Sequence, residues 1–108
     1  MKNIDCTLYC ITNSDGMSEE TFLDKVKGAC EGGVTLVQLR EKDRSTLSYY
    51  ELACKVKKIT DAYKIPLIID DRIDVAMAVG CGVHLGAEDM PISVARSIMG
   101  KDAIIGAT

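Results

Sequence analysis

The sequence predicts an α/β fold built on a parallel sheet, and three observations carry that expectation. Short apolar, β-rich runs alternate with longer segments of helical period. Glycine or proline punctuates most of the junctions. Charged and polar residues gather directly after the apolar runs. A β-α-β-α-β-α-β-α-β order calls for parallel strands joined by right-handed crossovers. An open doubly wound sheet and part of a (β/α)8 barrel both satisfy the pattern, and both place their sites at the C-terminal ends of the strands.

The first expected strand runs from Thr7 to Thr12 and is nearly all apolar, as a strand buried on both faces should be. Ser18 is placed to cap the helix that follows, with Glu19 and Glu20 in the first turn, where carboxylates oppose the helix dipole. Phe22, Leu23, Val26, Ala29 and Cys30 fall on one face of that helix, and Gly32-Gly33 ends it. The second strand is Val34 to Leu39. A longer helix spans Leu47 to Tyr63, with Tyr49, Leu52, Ala53, Val56, Ile59 and Tyr63 at helical spacing. Pro66 opens the third strand, Leu67-Ile68-Ile69, which runs straight into Asp70-Asp71-Arg72. A short helix with Ile73, Val75, Ala76 and Val79 stops at Gly80. Val83-His84-Leu85 is the fourth strand. Pro91 stands near the start of the next helix, where its fixed φ is tolerated, and Gly100 closes it. Ala103 to Gly106 is the fifth strand.

Composition narrows the class of protein. The 108 residues are 47% hydrophobic and 27% charged, which excludes intrinsic disorder. With 13 basic against 16 acidic residues, the net charge of −3 gives no support for a nucleic-acid partner. No apolar run is long enough to span a membrane, and polar residues interrupt any leader-like stretch near the N-terminus. The five cysteines, Cys6, Cys10, Cys30, Cys54 and Cys81, are an odd set scattered through strands and helices. They read as reduced, small, buried hydrophobes of a cytoplasmic protein rather than as a disulfide framework or a zinc site.

The strand ends carry the chemistry. Gln38, Arg40 and Lys42 share a parity, so an extended segment points all three the same way. Converging donors make an anion site, with Arg40 able to grip phosphate oxygens bidentately. The plainer alternative is a solvated loop in which Glu41 and Asp43 neutralise the two bases. Asp70 and Asp71 repel each other unless a cation compensates them, and carboxylates beside phosphates are a usual setting for Mg2+. Here the plainer reading has one Asp capping the next helix while Arg72 pairs with the other. His84, Glu88 and Asp89 follow the fourth strand, His84 as core residue or substrate contact, the two acids as helix caps or metal ligands. Bases and acids converging on one rim suit a metal–diphosphate complex.

The runs Gly33-Val34-Thr35-Leu36-Val37-Gln38-Leu39-Arg40-Glu41-Lys42, Pro66 to Ala76 with Asp70-Asp71-Arg72 at its centre, and Gly82-Val83-His84-Leu85-Gly86-Ala87-Glu88-Asp89-Met90-Pro91 occur in colinear order. Together they closely resemble the thiamine-phosphate synthase (thiamine-phosphate pyrophosphorylase) family, from the first strand to the last residue. The resemblance implies a (β/α)8 barrel enzyme of thiamine biosynthesis. It joins hydroxymethylpyrimidine diphosphate to a thiazole phosphate with Mg2+, by a dissociative route in which diphosphate leaves before the thiazole nitrogen attacks. On this chain it implies that the segment Gln38, Leu39, Arg40, Glu41, Lys42 binds the pyrimidine diphosphate. Arg40 and Lys42 take the diphosphate oxygens and act as the catalytic pair, and Gln38 faces the pyrimidine. Asp71 and Asp89 are the implied Mg2+ ligands. Asp70, His84 and Thr108 complete the substrate-binding set.

The sequence departs from the family pattern at Asp70, where Asn is common, at Ala87, where Gln is common, and at Thr108, which replaces a serine but keeps the hydroxyl. The turn before Gly82 is one residue shorter. Asp70 adds a negative charge beside the diphosphate. A barrel of this kind takes about 250 residues. The expectation for residues 1–108 is therefore a partial barrel, the N-terminal half, truncated to about five parallel strands and four helices. Such a half is expected to be inactive alone and to associate with itself through its open edges. Two other readings stay beside this one: a tautomerase-type relative, and a non-catalytic half-barrel.

Overall fold

The computed structural model describes residues 4–108 and contains five strands and four helices in strict alternation. The strands are β1 (Tyr9–Thr12), β2 (Leu36–Leu39), β3 (Leu67–Asp70), β4 (Gly82–Leu85) and β5 (Ile105–Ala107). The helices are α1 (Glu19–Glu31), α2 (Thr46–Ala62), α3 (Ile73–Val79) and α4 (Ile92–Met99). The sheet order is β1-β2-β3-β4-β5 with every neighbouring pair parallel. A doubly wound sheet reverses its strand order at a switch point, and this one does not. Every strand adds to the same edge, which is the winding of a (β/α)8 barrel.

Register explains the two faces. Val37, Leu39, Leu67, Ile69, Val83, Leu85 and Ile105 pack with Phe22, Val26, Tyr49, Leu52 and Val56 in one core under the helices. The alternate residues pair across the other face: Ile11 with Gln38, Gln38 with Ile68, Asp70 with His84, and His84 with Gly106. Strands β2 and β3 are buried on both faces, as near-continuous apolar runs require. The expectation of double burial fails for β1. Tyr9 is 37% and Ile11 58% exposed, because β1 is an edge strand with helix packing behind it and no neighbour in front.

Local chemistry sets the helix starts. Ser18 accepts from the Thr21 amide and caps α1, and Ser45 does the same for α2 through Ser48. Neither Asp70 nor Asp71 caps α3: its N-cap is Arg72, with no side-chain cap, and Arg72 pairs with Asp74 instead. Likewise Glu88 and Asp89 do not cap α4, whose N-cap is Pro91. All five cysteines are free, but only Cys30 is buried, and Cys6 is exposed, so the expectation of uniformly buried cysteines is corrected. Among the described residues, no helix is long and apolar enough to cross a membrane.

Candidate diphosphate and metal site

The rim at the C-terminal ends of β2 and β3 gathers four charges. Extending the β2–β3 register one step beyond Leu39 and Ile69 places Arg40 beside Asp70. Arg40 Nε lies 3.7 Å from Asp70 Oδ2, and Lys42 Nζ lies 2.8 Å from the same oxygen. Lys42 also donates to Asp71 Oδ2 at 2.7 Å. Thus the two bases that share a parity do converge, and they do so on Asp70 and Asp71. Glu41 and Asp43 do not neutralise them. The two carboxylates hold the Lys42 ammonium above its ordinary pKa, Asp70 most strongly and Asp71 next. Both bases remain about half exposed, so an incoming anion can reach them.

Asp70 is the inward member of this cluster, its side chain only 10% exposed. Lys42 aims its hydrogen-bonding geometry at Asp71, which leaves Asp70 Oδ2 compensated in charge but without an aligned donor. Asp71 has a φ of 56°, an unusual left-handed conformation for a residue other than glycine. The strained turn is fixed on both sides: the Asp71 amide donates to His84 O and the Arg72 amide to Asp70 O, each at 2.8 Å. Strain held in this way is common where a side chain must be aimed at a ligand.

The other residues expected on β2 take separate places. Gln38 is buried and donates from Nε2 to the Tyr9 hydroxyl at 2.7 Å, one layer below Asp70. Burial raises the Tyr9 phenol above its ordinary pKa, with the Gln38 bond opposing. Leu39 points into the helix-side core. The Glu41 carboxylate is turned away from the rim and buried against Ser14 and Arg44.

Beyond Asp70, His84 Nε2 meets the Thr108 hydroxyl, and the Thr108 amide donates to Leu85 O at 3.0 Å. His84 Nδ1 is buried without a partner against Gly106, where an added Cβ would lie 2.7 Å away. His84 and Thr108 are therefore brought together on the rim face. Asp89 is more local: its Oδ2 accepts from the Gly86 amide at 2.7 Å and closes the turn after β4.

Tyr49, expected only as a core residue, also belongs to the site region. Tyr49 is fully buried, and its hydroxyl reaches Leu39 O at 2.8 Å and Asp70 O at 3.3 Å. It ties the ends of β2 and β3 together where Arg40 and Asp71 leave the sheet. Burial pushes its phenol far above the ordinary range, so it stays a neutral donor. The available signal was a tyrosine at a core helical position, since a buried phenol needs a partner.

The donor set suits a hard cation. Asp70 Oδ2 is a buried carboxylate oxygen without an aligned donor, and Asp71 adjoins it. Among the described residues, no group of three or more His, Cys, Asp or Glu side chains is placed to hold a metal. An all-protein cage is not built, whereas Mg2+ commonly takes one or two carboxylates and completes its shell with water and substrate phosphate.

The chain is similar to known proteins along nearly all of its length. The family model for thiamine monophosphate synthase matches residues 8–108. A thiamine-phosphate synthase of Clostridium acetobutylicum is 55% identical over 107 residues, covering 98% of this chain and 51% of that protein. One from Methanobrevibacter smithii is 51% identical over 107 residues, again covering 98% of this chain and 51% of the relative. A solved thiamine phosphate pyrophosphorylase from Pyrococcus furiosus superposes with a TM-score of 0.82 at 42% identity, covering 93% of this chain and 48% of that one. The chain thus spans about half the length of the relatives it matches.

Proposed function

This chain belongs to the thiamine monophosphate synthase family, and on that footing we propose that it carries the pyrimidine-diphosphate and metal side of a thiamine-phosphate synthase active site. The observation that carries the reading is the convergence of Arg40 and Lys42 on Asp70 and Asp71 at one rim. The reaction is the joining of hydroxymethylpyrimidine diphosphate to a thiazole phosphate, giving thiamine phosphate and diphosphate.

In this reading Arg40 and Lys42 exchange their carboxylate partners for diphosphate oxygens and stabilise the charge that builds as diphosphate departs. Gln38 and Tyr9 form the floor beneath the pyrimidine, and their mutual hydrogen bond fixes the orientation of the Gln38 amide. Thr108 turns a hydroxyl toward the diphosphate, oriented by His84. Asp71, next to Asp70 in the chain, and Asp89 in the turn after β4 would hold Mg2+ together with water and substrate phosphate. The ion would add positive charge on the leaving diphosphate. The pyrimidine methylene cation left behind is captured by the thiazole nitrogen. Residues 1–108 then form one part of a (β/α)8 domain. An edge strand with Tyr9 and Ile11 exposed supports association with a second copy of the chain.

Calorimetry with hydroxymethylpyrimidine diphosphate and Mg2+ tests the reading. The chain should bind it, inorganic diphosphate should compete, and Arg40→Ala should weaken binding by about tenfold or more. Absence of binding, or equal binding by Arg40→Ala, refutes it. Sedimentation as a stable monomer refutes the self-association.

A further inference from the structure

Glu41 lies between the two proposed diphosphate-binding bases, yet its carboxylate is only 2% exposed and faces the opposite way. Oε2 accepts from the Ser14 amide at 2.7 Å, and Oε1 accepts from the Ser14 hydroxyl and from Arg44 Nε at 2.7 Å. Arg44 also donates to Ser48 at the start of α2 at 2.8 Å and to the Ser14 hydroxyl at 2.9 Å. Glu41 is anchored inward between Arg40 and Lys42, which both turn to the rim and meet Asp70. The loop after β1 is clasped to the loop after β2, and the Arg40 amide adds a bond to Thr12 O at 2.8 Å. Burying a carboxylate is costly unless a cation and several donors meet it, and here all of them come from these two loops, with Ser48 of α2 holding Arg44 in place.

We propose that Glu41 is a positioning residue, which through the Ser14–Arg44 clasp aims Arg40 and Lys42 at two adjacent phosphoryl groups. This rests on the diphosphate site proposed above and adds that Glu41 acts without touching substrate. It also accounts for an acidic residue inside an anion-binding segment, where a direct contact would repel the ligand.

The test compares inorganic diphosphate with orthophosphate on the full chain, as wild type, Glu41→Gln and Ser14→Ala, each checked for retained fold. Through-space electrostatics alone predicts that Glu41→Gln binds diphosphate more tightly, since a negative charge is lost. Positioning predicts the opposite sign: both variants lose about tenfold in diphosphate affinity, with orthophosphate changed by less than about threefold, because misaimed contacts lose the two-phosphate geometry first. Tighter or unchanged diphosphate binding by Glu41→Gln overturns the proposal. Weakening by Glu41→Gln with Ser14→Ala silent also overturns it, since Glu41 would then act directly. Should Glu41→Gln not fold, the charge-neutral Ser14→Ala decides alone. If the wild type binds neither anion, the diphosphate reading falls, and hydrogen exchange decides the positioning claim separately. An Arg40 amide exchanging about tenfold faster in the variants, as its bond to Thr12 O loosens, supports the clasp, and an unchanged rate overturns it.

Discussion

Asp70 occupies the two bases that the proposed function needs for its substrate, so Asp70→Asn should improve diphosphate binding. The carboxylate lies 2.8 Å from Lys42 Nζ and 3.7 Å from Arg40 Nε. At an effective dielectric of about 20, a unit charge pair at the shorter distance is worth roughly 6 kcal/mol. Lys42 is 48% exposed, which screens most of that energy, and about 0.5–1 kcal/mol is a realistic remainder. Removing this competition should tighten diphosphate binding about 2- to 5-fold, given tenfold per about 1.4 kcal/mol. The amide keeps the shape of the side chain and offers a donor where the carboxylate offers none. Asp71 still holds Lys42 at 2.7 Å, so the thermal midpoint should change little. The assay is calorimetry with inorganic diphosphate under chelator, at two salt concentrations, because screening by salt should shrink the advantage. Equal or weaker binding by Asp70→Asn at an unchanged midpoint refutes the competition argument.

Other consequences are independent of that one. In Asp71→Asn, Mg2+ should no longer enhance diphosphate affinity, while binding under chelator tightens, because Lys42 loses its partner at 2.7 Å; calorimetry with and without Mg2+ reads both. Gly106→Ala would set a Cβ 2.7 Å from His84 Nδ1, and the overpacking should cost about 1–3 kcal/mol, seen as a lower denaturation midpoint. Partial burial pushes the Cys81 thiol up from its ordinary value to about 12. Its contribution to stability is therefore full below pH 9 and lost as pH rises toward 12. At pH 8 iodoacetamide should modify exposed Cys6 first and leave Cys81 until the chain unfolds, as peptide mass spectrometry would show.

Much of the fold was legible because alternation, capping and strand-end polarity are local signals. Ser18 as the cap of α1 and Leu67 as the first residue of β3 are cases in which residue type and structure agree at single-residue level. The choice between doubly wound and barrel winding was not local, since it depends on which edge each new strand joins. The parity of Gln38, Arg40 and Lys42 correctly grouped the two bases, yet it could not show that Asp70 would be their common partner. That depends on the β2–β3 register. Glu41 was assigned with its neighbours to substrate binding because the family resemblance covers the whole segment from Gln38 to Lys42. Its burial follows from Ser14, 27 residues earlier, and from Arg44. Tyr49 was read as core, and its hydroxyl acquires meaning only when two carbonyls from different strands meet it.

The most direct test of the account is amide and side-chain NMR mapping of Mg2+–diphosphate binding on this chain. Perturbations should cluster at Gln38 to Lys42, Asp70 to Arg72, His84 to Asp89 and Thr108, and should weaken together in Lys42→Met. Perturbations centred on the opposite end of the sheet, around Cys81 and Ile104, or none at all at saturating ligand, would contradict it.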